Sequence, residues 1–80
     1  MYKPGDIIKG SNTGVLYLIL RERDAGRKAY ICRRVYSKDI GYQERFLNDE
    51  LVVSLISPMS FKEEVLIANL RQERPELFEI

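Results

Sequence analysis

The sequence predicts a mainly β fold: a five-stranded small barrel followed by one C-terminal α-helix. Three observations carry that expectation. A seven-residue apolar run, Gly14-Val15-Leu16-Tyr17-Leu18-Ile19-Leu20, is too short for a core helix and rich in residues that suit a pleated surface. Further short apolar or β-branched segments recur between turn-forming clusters, the spacing of a small all-β domain. After Pro58 the pattern changes to a capping-box signature and helical periodicity.

Eighty residues make one domain, residues 1–80, with the barrel over about 3–56, the helix over about 60–73 and an apolar tail over 75–80. A chain this short buries about 60–65% of its unfolded surface, so its core is thin. No apolar run approaches the roughly 20 residues of a membrane helix. The opening Met1-Tyr2-Lys3-Pro4-Gly5-Asp6 lacks the basic-then-apolar pattern of a secretion signal. Together with the lone Cys32, which has no partner for an internal disulfide, this predicts a reducing cytoplasm. The net charge of +1 gives no general pull on nucleic acid, but the charge is divided. Residues 1–36 carry eight Lys/Arg against three Asp/Glu, and residues 37–80 carry five against nine. An acidic helix lying on a basic sheet accounts for this; so does a basic patch left open to an anionic partner.

Lys3-Pro4-Gly5-Asp6 is turn chemistry, and Ile7-Ile8 opens the first strand. Gly10-Ser11-Asn12-Thr13-Gly14 reads as a plain turn, since a phosphate-cradling loop needs Lys-Ser/Thr after its last Gly and then a helix. The central strand, 14–20, is apolar at Leu16, Leu18 and Leu20 on one face and at Val15, Tyr17 and Ile19 on the other. Such a strand needs cover on both sides, one from the barrel interior and one from the C-terminal helix or another chain.

A three-residue loop, Asp24-Ala25-Gly26, with Gly26 left-handed, joins it to the next strand at 28–36. That register pairs Arg23 with Arg27, Leu20 with Tyr30, Leu18 with Cys32 and Leu16 with Arg34. On the reverse face it pairs Ile19 with Ile31, Tyr17 with Arg33 and Val15 with Val35. A one-residue slip exchanges these partners but still sets Tyr17 against an Arg, favouring a Tyr–guanidinium contact. Residues 42–47 form a fourth, more polar strand, 48–50 a turn, and 51–56 the fifth strand. The helix starts at Ser60 as N-cap with Glu63 completing the box, or earlier with Ser57 as cap and Pro58 at its first position. It ends near Glu73, ahead of Pro75.

At 100° per residue Phe61, Val65 and Ala68 form one helix stripe, Leu66 and Leu70 fall nearly opposite, and Ile67 lies off both. Two stripes point to a helix held between two surfaces, although three turns offer few positions for a clean pattern. The apolar Leu77, Phe78 and Ile80 predict a tail that docks.

The chemistry of catalysis is sparse. There is no His, so the commonest general base and metal ligand is missing, and one Cys makes a structural zinc site an unsupported reading. Cys32 reads as a packed small residue, although Arg33 and Arg34 would lower its pKa if it were exposed. Glu63-Glu64 at a helix start favour the macrodipole, and Asp49-Glu50 read as solvated turn residues. No nucleophile, base and oxyanion donor fall together, so no catalytic residue and no cofactor are expected. The surface that remains joins aromatic, cationic and apolar residues: Tyr17, Arg21, Tyr30, Arg33, Arg34, Tyr36, Leu66, Leu70 and Phe78. Tyr and Arg are enriched at the energetic centres of protein interfaces, and the same pair can stack bases and hold phosphates.

Lys3-Pro4-Gly5-Asp6-Ile7-Ile8 followed by Thr13-Gly14-Val15-Leu16-Tyr17-Leu18-Ile19-Leu20 resembles the opening of the Src-homology-3-like small barrels. That broad group includes Tudor-like and KOW-type domains, the MazF-type toxin ribonucleases and many small phage and prophage proteins. The likeness spans about residues 3–56 and implies a five-stranded barrel with a binding role. The chain is shorter than the toxin ribonucleases and lacks their insertions, so no catalytic residue carries over. It also lacks the acidic run and the Trp of the proline-peptide binders. The expectation is a non-enzymatic interaction or regulatory module that self-associates or binds another protein. A nucleic-acid-binding barrel using the hairpin Arg and Tyr residues is the alternative, and a small ribonuclease comes last.

Overall fold

The computed structural model describes residues 2–23, 29–39, 41–42 and 48–80. They form one antiparallel sheet and one helix, in the order β1 (Ile7–Gly10), β2 (Leu16–Glu22), β3 (Ala29–Ser37), β4 (Gly41–Tyr42), β5 (Asn48–Val52), β6 (Ile56–Ser57) and α1 (Phe61–Glu73). Across the sheet the strands run β4-β3-β2-β1-β6, and β5 also pairs with β3. β1 and β2 are joined through the Gly10–Gly14 turn, in which the Gly14 N–H donates to Gly10 O at 2.8 Å. Gly10 packs closely: a Cβ there would meet Thr13 Oγ1 at 3.0 Å and the Tyr17 ring at 3.1 Å, so either side chain would have to shift by a few tenths of an ångström.

β5 lies on the far side of β3 and β6 on the far side of β1, four strand spacings apart. In a flat sheet that is about 19 Å. A single 3₁₀ turn, Val53–Leu55, is all that joins them, and at roughly 2 Å per residue it spans about 8 Å. The sheet therefore curls, drawing its edges together. Among the described residues no pairing joins β5 to β6, so the sheet is open where the sequence led to a closed five-stranded barrel. The fifth predicted strand, 51–56, is likewise two strands, with the 3₁₀ turn between them, and the predicted turn 48–50 is the start of β5. Of the predicted fourth strand, 42–47, Tyr42 pairs with Tyr36, Gly41 of the predicted loop pairs with Ser37, and residues 43–47 lie outside the described residues.

The central hairpin keeps the predicted strands but not their register. Tyr17 opposes Arg34, Leu18 opposes Arg33 and Ile19 opposes Cys32, while Leu16 opposes Tyr36 and Glu22 opposes Tyr30. Register shifts at Leu16/Tyr17 and Ile19/Arg21 leave Val35 and Leu20 as extra residues. The Arg23 N–H donates to Ala29 O at 3.1 Å; the predicted Asp24-Ala25-Gly26 loop and the Arg23–Arg27 pair fall on residues outside those described. Tyr17 faces an Arg, as either register required.

Both faces of β2 are covered by the chain itself. One gathers Ile8, Tyr17, Ile19, Tyr30 and Cys32, with Val15, Leu55 and Ile56 at its margin. Leu55 comes from the 3₁₀ turn, so the curl closes over this face. The other gathers Leu16, Leu18 and Val35 under Ile67 and Leu70 of α1 and Leu77 of the tail. Leu16, Leu18 and Ile19 are fully buried.

The capping box sets where α1 begins. The Glu63 N–H donates to Ser60 Oγ at 3.2 Å, and the Ser60 N–H donates to Glu63 Oε1 at 2.8 Å. The same Glu63 oxygen accepts from Lys9 Nζ at 3.1 Å, so one carboxylate ties the helix start to β1. After α1, Pro75–Phe78 makes a 3₁₀ turn that drives Leu77 into the core; of the apolar tail expected to dock, Leu77 is buried and Phe78 half-buried, while Ile80 stays 71% exposed. Arg33 holds this tail down, donating from Nη1 to Leu77 O at 2.9 Å and Glu79 O at 2.5 Å. The radius of gyration is 11.7 Å, against about 12 Å expected for a globule of this length. Among the described residues no helix is long and apolar enough to cross a membrane.

Candidate protein-interaction surface

The helix decides what the molecule shows to its surroundings. Leu66, Ile67 and Leu70 sit within about 100° of one another on the helical wheel and turn toward the sheet, where Ile67 and Leu70 are buried. Phe61, Val65, Ala68 and Gln72 lie on the opposite side, spaced 4-3-4, and all four are exposed. Phe61 is 79% exposed and Val65 44%. Covering a Phe or Val completely is worth about 1.5–3 kcal/mol, so this stripe is an unspent driving force for association.

Beside the stripe, a groove of about 450 Å³ opens between the start of α1 and the end of β3, lined by Lys9, Tyr36, Lys38, Ser60, Lys62, Glu63 and Leu66. It continues along the helix past Val65, Asn69 and Glu73, where a further 420 Å³ is mostly apolar. Glu63 is the electrostatic fixture of this groove. The Ser60 backbone N–H, and with it the Lys9 ammonium, hold its carboxyl below the usual glutamate range despite partial burial.

The residues singled out in the sequence separate into three groups. Tyr17, Tyr30 and Leu70 are buried and serve packing, Leu70 showing only its edge in the apolar part of the groove. Tyr30 meets Tyr2 edge-to-face with ring centroids 5.7 Å apart. Arg33 and Phe78 belong to the tail dock, with the Arg71 guanidinium 4.6 Å above the Phe78 ring and Arg71 Nη2 donating to Gly5 O at 3.2 Å. Arg21 is exposed, Arg34 is half-buried opposite Tyr17, and Tyr36 and Leu66 line the groove. The Tyr and Arg residues therefore do not assemble into one patch. Phe61 and Val65, grouped correctly as a stripe, are the surface residues that the sequence left unassigned. Their direction follows from Ile67, which sides with Leu66 and Leu70.

Cys32 is fully buried, with Sγ 3.6 Å from Tyr30 O, a packed thiol rather than an accessible one. Among the described residues no group of three or more His, Cys, Asp or Glu is placed to hold a metal ion. Comparison with known protein families, with curated proteins and with solved structures finds no match.

Proposed function

We propose that this chain is a non-enzymatic protein-interaction module that engages a protein partner, or a second copy of itself, through the outward face of α1. The observation that carries this reading is the exposure of Phe61 and Val65 on a helix whose other face is already committed to the core. The Tyr36 and Leu66 groove extends the same surface. The nucleic-acid alternative, which would use Arg21, Arg33, Arg34 and the hairpin Tyr residues, has less support because Arg33 holds the tail and Tyr17 and Tyr30 are buried. The strand order and the three-residue link between β5 and β6 support, as part of this proposal, a Src-homology-3-like scaffold whose curled sheet stays open, with α1 mounted on it. A buried free thiol is in keeping with a reducing compartment.

The test compares wild type with the Phe61→Glu/Val65→Glu double variant as affinity baits. Both substitutions sit on exposed helix surface, so thermal unfolding should shift by no more than about 0.5 kcal/mol each. The reading predicts that what the wild type retains, another protein or untagged chain, is lost on the variant. Equal retention by both baits, or none by either, would refute it.

A further inference from the structure

The outward face of α1 is complementary to itself. Its stripe, Phe61-Val65-Ala68-Gln72, follows the 4-3-4 spacing of a short coiled-coil seam. Two such helices laid antiparallel about a two-fold axis set Val65 against Ala68 of the second copy and Phe61 against its Gln72. In this register Glu64 on one flank falls beside Arg71 of the second copy, and the symmetry makes that contact twice. On the other flank Lys62 meets Asn69, so no like charges oppose each other. Glu64 is exposed and has no ion-pair partner among the described residues. Arg71 is held against the helix by Phe78 and Gly5 O, and with one hydrogen bond, to Gly5 O, its five-donor fork keeps donors to spare. A pre-placed guanidinium loses little freedom when it pairs.

Resting on the interaction reading above, we propose that the occupant of this face is a second copy of the chain: an antiparallel α1–α1 pair with Val65 and Ala68 at its centre and Glu64–Arg71 ion pairs at its flanks. A helix of 13 residues is about 20 Å long, so the interface is small and the dimer weak. It forms at micromolar to millimolar concentration.

Sedimentation equilibrium over that range tests this on the full chain. Four variants accompany wild type: Val65→Glu, Glu64→Arg, Arg71→Glu and the Glu64→Arg/Arg71→Glu exchange. Wild type should be a monomer–dimer equilibrium. Val65→Glu should weaken dimerisation at least about tenfold. Glu64→Arg should weaken it about threefold to tenfold, and the exchange should restore it relative to either single reversal. Should Arg71→Glu unfold by loss of its Phe78 and Gly5 contacts, Val65→Glu and Glu64→Arg still decide. A dimer indifferent to both overturns the proposal. So does a wild type that stays monomeric throughout. A monomeric wild type whose Val65-dependent bait still captures a different protein overturns the self-pairing and leaves the interaction reading standing. One with no such capture overturns both.

Discussion

β2 and α1 are both apolar on two sides, and the chain treats them differently. β2 is enclosed on both: the curl of the sheet covers Tyr17 and Ile19, and α1 with the tail covers Leu16 and Leu18. α1 is enclosed on one, leaving Phe61 and Val65 in solvent. An apolar surplus therefore exists, but it sits on the helix and not on the strand. A sheet can bend over its own face, whereas a helix packed at the outside of a small domain has nothing beyond it. Two-sided hydrophobicity in a strand is satisfied internally; in a peripheral helix it faces outward.

The largest blow to this contrast is Leu18→Ala. Leu18 is fully buried between β1, β3 and the α1 side of the core, so the change should cost about 3–4 kcal/mol, read as a fall in urea midpoint. Leu77→Ala removes the fully buried contact of the tail and should cost about 3 kcal/mol. If it costs under about 1 kcal/mol, the tail is not part of the cover over Leu16 and Leu18.

Ser60→Ala should cost about 1 kcal/mol, by loss of the cap bond to the Glu63 N–H. Glu63 also makes a smaller, pH-dependent contribution. Its carboxyl titrates below its ordinary value, first because of the Ser60 N–H and then because of Lys9. The unfolded chain therefore takes up this proton first, at about pH 4.3. The stabilisation is complete above that pH and is lost as pH falls through the lower, folded value. Glu63→Gln should flatten that part of the acid-unfolding curve. The smallest effect on stability belongs to Phe61→Glu, within about 0.5 kcal/mol, since the ring is in solvent.

Much of this was legible in the sequence because it is local. Ser60 and Glu63 mark the helix start within four residues, and Pro75 marks its end. The apolar run 14–20 names the central strand, and Leu77 with Phe78 announces a docked tail. What escaped depends on distant partners. The hairpin register turns on two bulges, at Val35 and Leu20, that no turn residue signals. The 3₁₀ turn at Val53–Leu55 lies inside an unbroken apolar segment, where periodicity cannot separate strand from turn. Tyr17 and Tyr30 read equally well as interface or as core, and only the sheet's curl makes them core.

The central claim is that the free apolar surface belongs to α1 and not to β2. The direct measurement is the ¹⁵N chemical shift of each backbone amide as the protein is diluted from millimolar to micromolar concentration. The account predicts shifts confined to the outward positions Phe61, Val65, Ala68 and Gln72 and their flanks Glu64 and Arg71, with Leu16 to Ile19 unmoved. Shifts centred on β2 or on the sheet edges, with α1 silent, would contradict it.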